Sequence, residues 1–368
     1  MTGPSTIIGN SSGGWLLVLA LMVPVAGSVL ALVAGGRRAE RIALVISPIA
    51  LALGFAIAAS VWRTGRPITY HVGSWAPPLG LELRADGLSA TLILLTAIIM
   101  SATVIFARPD FRASQSGPEK RSSLAFWIYL MGLWGALVGV FLGNDLFNLY
   151  VALELLTVTA VPMVCLSGSA ETLVAALRYL LFALVGSVLY LLGVALVYGA
   201  YGTLDIALLA SRFRDEPAVW LAAALMTAGL LAKTALFPLH LWLPAAHAGA
   251  PAAASALLSA LAVKASFYLT AKVWFDAFPG LLNQASAQVL AALGAGAIIF
   301  GGVLALRQVR LKLLIAYSTV AQIGYLFLMF PLIVSADAAS WSQLGWMGAG
   351  DSSCRTRSPR LRCSWRRG

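Results

Sequence analysis

Lys233-Thr234-Ala235-Leu236-Phe237-Pro238-Leu239-His240-Leu241-Trp242-Leu243-Pro244-Ala245-Ala246-His247-Ala248-Gly249-Ala250-Pro251 is the stretch on which the fold turns. It sets a lysine and two histidines around a proline-bearing break, between the apolar runs Trp220–Leu236 and Leu257–Leu269. Pro238 and Pro244 each lack a backbone donor and crowd the preceding turn. Irregular backbone between apolar runs of this kind is tolerated at membrane depth only inside protein or beside a water-filled cavity. Discontinuous helices are also where transporters place their ion sites.

Outward from this break the chain stays apolar. Of its 368 residues 60% are hydrophobic and 11% charged, against about 25% charged in soluble domains. Ten apolar runs are long enough to span a bilayer: 15–34, 42–62, 86–106, 124–142, 145–166, 177–199, 217–236, 252–275, 285–305 and 311–333. The fold class is therefore an all-α, polytopic membrane protein. The first run has an uncharged segment before it, Met1–Gly14, and exceeds the core of a signal peptide, so a transmembrane helix is expected there. Leu204–Arg212 is expected to form a short interfacial helix.

Lysine and arginine set the orientation. With the N-terminus outside, the inner loops hold eleven: Arg37, Arg38, Arg41, Arg108, Arg112, Lys120, Arg121, Arg178, Arg307, Arg310 and Lys312. The outer side holds six: Arg63, Arg66, Arg84, Arg212, Arg214 and Lys272. An outside N-terminus is the expectation. The net charge of +11 marks no nucleic-acid face, because six arginines crowd into Arg355–Arg367.

Few side chains resist lipid. Glu154 lies within Leu146–Cys165, Lys233 closes Trp220–Leu236, and Lys264 sits mid-span. An ionised group at a helix centre costs about 2.5–3.5 kcal/mol on insertion scales, so such residues face the bundle interior. One reading makes them ion pairs that hold helices together. The other makes Glu154 and Lys233 a relay, since a buried ammonium holds its proton beside a carboxylate and releases it when that charge goes. His240, beside the break, is a candidate shuttle. His247 is either a further polar group of the path or a loop residue facing water. Lys272, Arg178 and Asp276 lie near span ends, where they are expected to snorkel as anchors.

No metal is expected. Pro244 separates His240 from His247, no third ligand is near, and zinc takes three or four. Cys165, Cys354 and Cys363 form no CxxC pair, and neither a dinucleotide glycine pattern nor an iron–sulfur set is present. No cofactor is expected, and any redox chemistry falls to partner subunits.

These residues carry a family likeness. Asp145-Leu146-Phe147-Asn148-Leu149-Tyr150 with Glu154 resembles the fifth-helix signature of the antiporter-like subunits of respiratory complex I and of Mrp-type cation/proton antiporters. Gly202-Thr203-Leu204, the stretch Phe237–Pro251 with Ser255-Ala256-Leu257-Leu258 and Lys264, and Arg310–Tyr325 resemble the same family. Gly73–Gly80 and Asp86-Gly87-Leu88-Ser89 look most like the D-type Mrp subunit or its hydrogenase-associated relatives. The chain departs from the pattern at Ala245, where the family has Asp.

The resemblance implies two inverted five-helix repeats, each with a broken helix, in a proton-conducting subunit. Its partners would be other membrane subunits of an Mrp or complex I-like assembly, with protons and sodium as candidate cargo. Glu154 would be the fifth-helix carboxylate, Lys233 its partner, Lys264 the eighth-helix lysine, His240 a group on the water path, and His247 a cytoplasmic-side residue. Residues 1–122 would hold three N-terminal helices, 123–276 the first repeat and 277–350 part of the second. The location would be a bacterial inner membrane. Enzymatic work would be translocation within an NADH:quinone oxidoreductase-like complex, without a redox site on this chain. The alternatives are a stand-alone secondary transporter, which calls for substrate-sized polar groups at mid-membrane, and a non-functional truncated remnant.

The remnant reading arises from residues 351–368, DSSCRTRSPRLRCSWRRG. Moved back by one base, an Arg codon CGN supplies the last two bases of an Ala, Ser, Thr or Pro codon. Arg355–Gly368 then reads as an apolar stretch containing a His-Ala-x-x-Lys pattern, so a frameshift just before Asp351 is expected. Sequencing the genomic DNA through this point tests it: a base gained or lost is expected, and an intact frame encoding the arginines contradicts it.

Overall fold

The computed structural model describes residues 11–111 and 121–334; the arginine-rich segment 351–368 lies outside them. In lipid every backbone polar group has to be satisfied within the chain, and uninterrupted apolar sequence therefore becomes helix. The helices are α1 (Trp15–Ala34), α2 (Gly36–Thr64), α3 (Gly87–Phe111), α4 (Arg121–Leu142), α5 (Leu146–Val164), α6 (Ala170–Tyr201), α7 (Ile206–Ser211), α8 (Pro217–Thr234), α9 (Trp242–Gly249), α10 (Ala252–Ala277), α11 (Gln284–Leu306) and α12 (Leu311–Val334). Among the described residues ten are long and apolar enough to cross a membrane, all but α7 and α9. They coincide in number and order with the ten runs read from the sequence, and α7 falls within Leu204–Arg212.

Side-chain periodicity separates lipid from core. On α6, Leu173, Leu177, Leu181, Leu184, Val188 and Leu192 recur every three or four residues and are exposed, a stripe that faces lipid. The opposite face buries Ala183, Gly186, Ser187, Tyr190 and Gly193. Glycines let α8 close on that face. A Cβ on Gly229 would stand 2.2 Å from the Gly186 carbonyl oxygen, and one on Gly193 2.6 Å from that of Ala222.

The link between α2 and α3 contains a hairpin. Its strands β1 (Ile68–His71) and β2 (Glu82–Ala85) pair antiparallel, Ile68 opposite Ala85 and His71 opposite Glu82. The hairpin joins one end of the bundle, where Leu83 bridges to Gly143 and Asp145 to Asp205. The Asn144 amide donates to Glu82 Oε2 at 3.0 Å. Burial, reinforced by Asp145, raises the Asp205 carboxyl above the usual carboxylate range against the N–H donors of Leu208 and Ala207. At the opposite end Arg108 Nε meets Glu40 Oε1 at 3.0 Å, and Lys312 Nζ donates to the Ala250 carbonyl at 2.8 Å.

The glycine seam yields a prediction. Gly229→Val forces α6 and α8 apart and should cost about 1–3 kcal/mol, read as a lowered Tm of the detergent-solubilised protein. Gly199→Ala, with no atom within 4 Å of its Cβ, should leave Tm unchanged. An unchanged Tm for Gly229→Val would contradict the seam.

Candidate functional site

The site forms where α5, α6 and α8 meet. Asp145 starts α5 by accepting from the Phe147 and Asn148 N–H groups, each at 2.9 Å. Two helical turns on, Glu154 faces α8, and Lys233 Nζ lies 3.0 Å from its Oε1. The same ammonium donates to Thr157 Oγ1 at 3.1 Å, and Thr157 donates in turn to the Leu153 carbonyl at 3.0 Å. Ser187, from α6, donates to Glu154 Oε1 as well. The lysine side chain is 6% exposed and the carboxylate 23%. The ammonium is thus sealed in, while the carboxylate keeps an open side.

The chain turns sharply just after Lys233. Ala235 adopts a left-handed conformation, φ 57° and ψ 38°, and Leu236 N–H reaches back to the Leu231 carbonyl at 3.1 Å. This is a Schellman-type stop with alanine where glycine is usual. A non-glycine residue held there is strained, a feature that clusters at functional sites. Across the break, Trp242 Nε1 donates to the Ala232 carbonyl at 2.9 Å and its ring stacks on Tyr179 at 4.2 Å. Pro238 lies in the break, whereas Pro244 falls in the first turn of α9, where a missing N–H costs nothing.

The other candidates lie apart from this pair, His240 and His247 buried and Lys264 half-buried. His240 is 3% exposed, its ring 5.7 Å from that of Phe237 and 4.9 Å from that of Phe300. No hydrogen bond among the described residues joins it to Glu154, Lys233 or Lys264. Lys264 follows a π-helical segment of α10, Leu258–Ala262, and donates to the Ser259 carbonyl. The Ser259 hydroxyl lies 2.7 Å from Thr319 Oγ1 on α12.

Two expectations need correction. His247 is no water-facing loop residue. It is fully buried in α9, Nδ1 pairs with Ser255 Oγ at 2.7 Å, and Nε2 has no hydrogen-bond partner among the described residues. Lys264 and Lys312 lie close enough to act on its charge. Lys272 does not snorkel either: it is 5% exposed and donates to the Gly143 carbonyl at 2.6 Å. Arg178, by contrast, is exposed. Among the described residues, no three His, Cys, Asp or Glu side chains are grouped to hold a metal.

Thr157 and Ser187 escaped the sequence reading. Thr157 was findable, three residues from Glu154 and so on its helix face. Ser187 carries only the weaker signal of one hydroxyl on a buried stripe of small residues.

The site thus sets a carboxylate–lysine contact beside a broken helix in a bundle of membrane-length helices. The family described as NADH:quinone oxidoreductase/Mrp antiporter, TM matches residues 143–346, and this chain belongs to that family. The N-type subunit of the NADH-quinone oxidoreductase of Desulforudis audaxviator is 36% identical over 76% of this chain and 55% of its own length. The D-type subunit of the Na(+)/H(+) antiporter of Alkalihalophilus pseudofirmus is 28% identical over 84% of this chain and 62% of its own. The structure of the Mrp complex from Dietzia contains a chain that superposes with a TM-score of 0.77 at 25% identity, over 87% of this chain and 59% of that one. The chain thus spans somewhat over half the length of the curated relatives it matches.

Proposed function

We propose that the chain conducts protons, or couples them to cation exchange, as one membrane subunit of an Mrp-type antiporter or complex I-like NADH:quinone oxidoreductase assembly. The contact of Glu154 with Lys233 carries this reading, because two coupled ionisable groups can pass a proton on only if the charge of one depends on the other. The lysine holds its proton while Glu154 is ionised. When a proton reaches Glu154 from its open side, Lys233 loses its counter-charge in a desolvated place and gives up its own proton. Water then takes that proton toward Lys264, with His240 and His247 along the path. The proton on Glu154 then passes across the 3.0 Å contact to the neutral Lys233 amine, which restores the ion pair, so each cycle takes up one proton at Glu154 and releases one from Lys233 with no net change in the protein.

Residues 1–122 form the N-terminal helices in this account, 123–276 the first five-helix repeat with the break between its fourth and fifth spans, and 277–350 part of a second. The membrane is the bacterial inner membrane with the N-terminus outside, as the loop charges favour. Sodium is the candidate exchanged cation. Membrane partners are supported by the assembly in which the Dietzia relative sits and by Val289, Ile299, Val303 and Leu306, which leave an apolar face of α11 open. The sequence around Gly73–Gly80 favours the D-type relative, while identity is higher to the N-type one.

In inverted vesicles carrying the assembled complex, Lys233→Ala and Glu154→Gln should each reduce proton movement to about a tenth or less of wild type. Membrane content, measured by immunoblot, should stay normal. Wild-type transport by Lys233→Ala would overturn the relay.

A further inference from the structure

The end of the bundle away from the break holds a second buried lysine, which the relay does not use. Lys272 lies on α10 two turns beyond Lys264, and its ammonium stands 5.8 Å from the centre of the Tyr268 ring. Its hydrogen bond runs to Gly143, the residue that turns α4 into α5. Gly143 also bridges to Leu83 of the hairpin, and its neighbours Asn144 and Asp145 bind Glu82 and cap α5. A Cβ on Gly143 would stand 2.8 Å from Leu149 Cδ2 and 3.1 Å from the Gly139 carbonyl oxygen. The turn therefore has no room for a side chain of its own, and its buried carbonyl goes to the lysine.

The charges around Lys272 come from three elements. Asp86 at the start of α3, Asp276 at the end of α10 and Glu82 on β2 attract it, and Arg84 on β2 opposes them. Asp86 is itself held by Ser89, whose N–H and hydroxyl donate to its Oδ1 at 2.8 and 2.9 Å. A desolvated ammonium is costly unless its place is fixed by paired charges and hydrogen bonds. Here the hydrogen bond joins α10 to the α4–α5 turn, and the charges that act on the ammonium sit on the hairpin, at the start of α3 and at the end of α10. Two of the joined helices carry relay residues: Glu154 follows Gly143 by three turns, and Lys264 precedes Lys272 by two.

We propose that Lys272 is a positioning residue of the relay. Its ammonium ties α10, with Lys264, to the turn that starts α5, with Glu154, and so fixes the height and rotation at which both groups face the path. The proposal rests on the relay reading. It differs from a role for Lys272 as a proton carrier, because positioning needs only a fixed positive donor. Arginine supplies that donor and does not release its proton in proteins.

The test compares Lys272→Met and Lys272→Arg with Lys233→Ala and wild type in vesicles holding the whole complex. Lys272→Met should lose about tenfold or more of proton movement, whereas Lys272→Arg should stay within about threefold of wild type. Wild-type movement in Lys272→Met, or an arginine variant as inactive as the methionine one, overturns the positioning role. If the methionine variant fails to accumulate, Lys272→Gln takes its place in the same comparison, since its amide keeps a donor without the charge. Wild-type movement in Lys233→Ala counts against the relay itself. A dead Lys233→Ala beside an active Lys272→Met counts against Lys272 alone.

Discussion

A charge among apolar helices has to be met by an opposite charge or by hydrogen-bond acceptors, and the 3.0 Å pair of Glu154 and Lys233 meets that condition with an opposite charge. Much of the surrounding architecture makes the contact possible. Lys233 can face Glu154 because α6 and α8 approach through Gly186, Gly193 and Gly229. Thr157 and Ser187 then fill the remaining hydrogen-bonding places around the two charges. The helix ends one residue after the lysine, and Trp242 ties the far side of the break back to Ala232. An ion pair on its own is weak evidence of stabilisation, because desolvation offsets its Coulombic gain. Its unequal burial is more informative. The Lys233 side chain is 6% exposed and that of Glu154 23%, and the proposed relay takes up its proton at the less enclosed partner.

The same constraint appears at both ends of the bundle in different materials. At the break, histidine rings are held among Phe237, Phe300 and Ser255. At the other end, a lysine, an asparagine and several carboxylates bind the loops to one another. Polar groups are thus gathered at helix ends and in the bundle interior, and apolar side chains are left on the outer faces.

Hydropathy made the ten spans legible, because lipid leaves an apolar run little alternative to helix. The run read as 145–166, for example, is the helix Leu146–Val164. Glu154, Lys233 and Lys264 were legible for the same reason, as charges that lipid should have excluded. The hairpin was not. Its strands have four residues each and no sustained alternation to set them apart from loop. Lys272 was misread because α10 runs on to Ala277, so a lysine that sequence places near a membrane edge is enclosed by protein. Of the two readings of His247, the water-facing loop falls, because Pro244 fits the first turn of a helix that buries the ring. Contacts made across the bundle, such as Ser187 to Glu154, leave almost no trace along the chain.

The central claim is that Glu154 and Lys233 act as one unit, and a double-mutant cycle on proton movement tests it most directly. Glu154→Gln, Lys233→Met and the double variant are measured in the same vesicles at matched protein content. If the pair is a single relay, the double variant is no slower than the worse single one, because removing either group already breaks the unit. Losses that multiply in the double variant would show two independent groups and contradict the account.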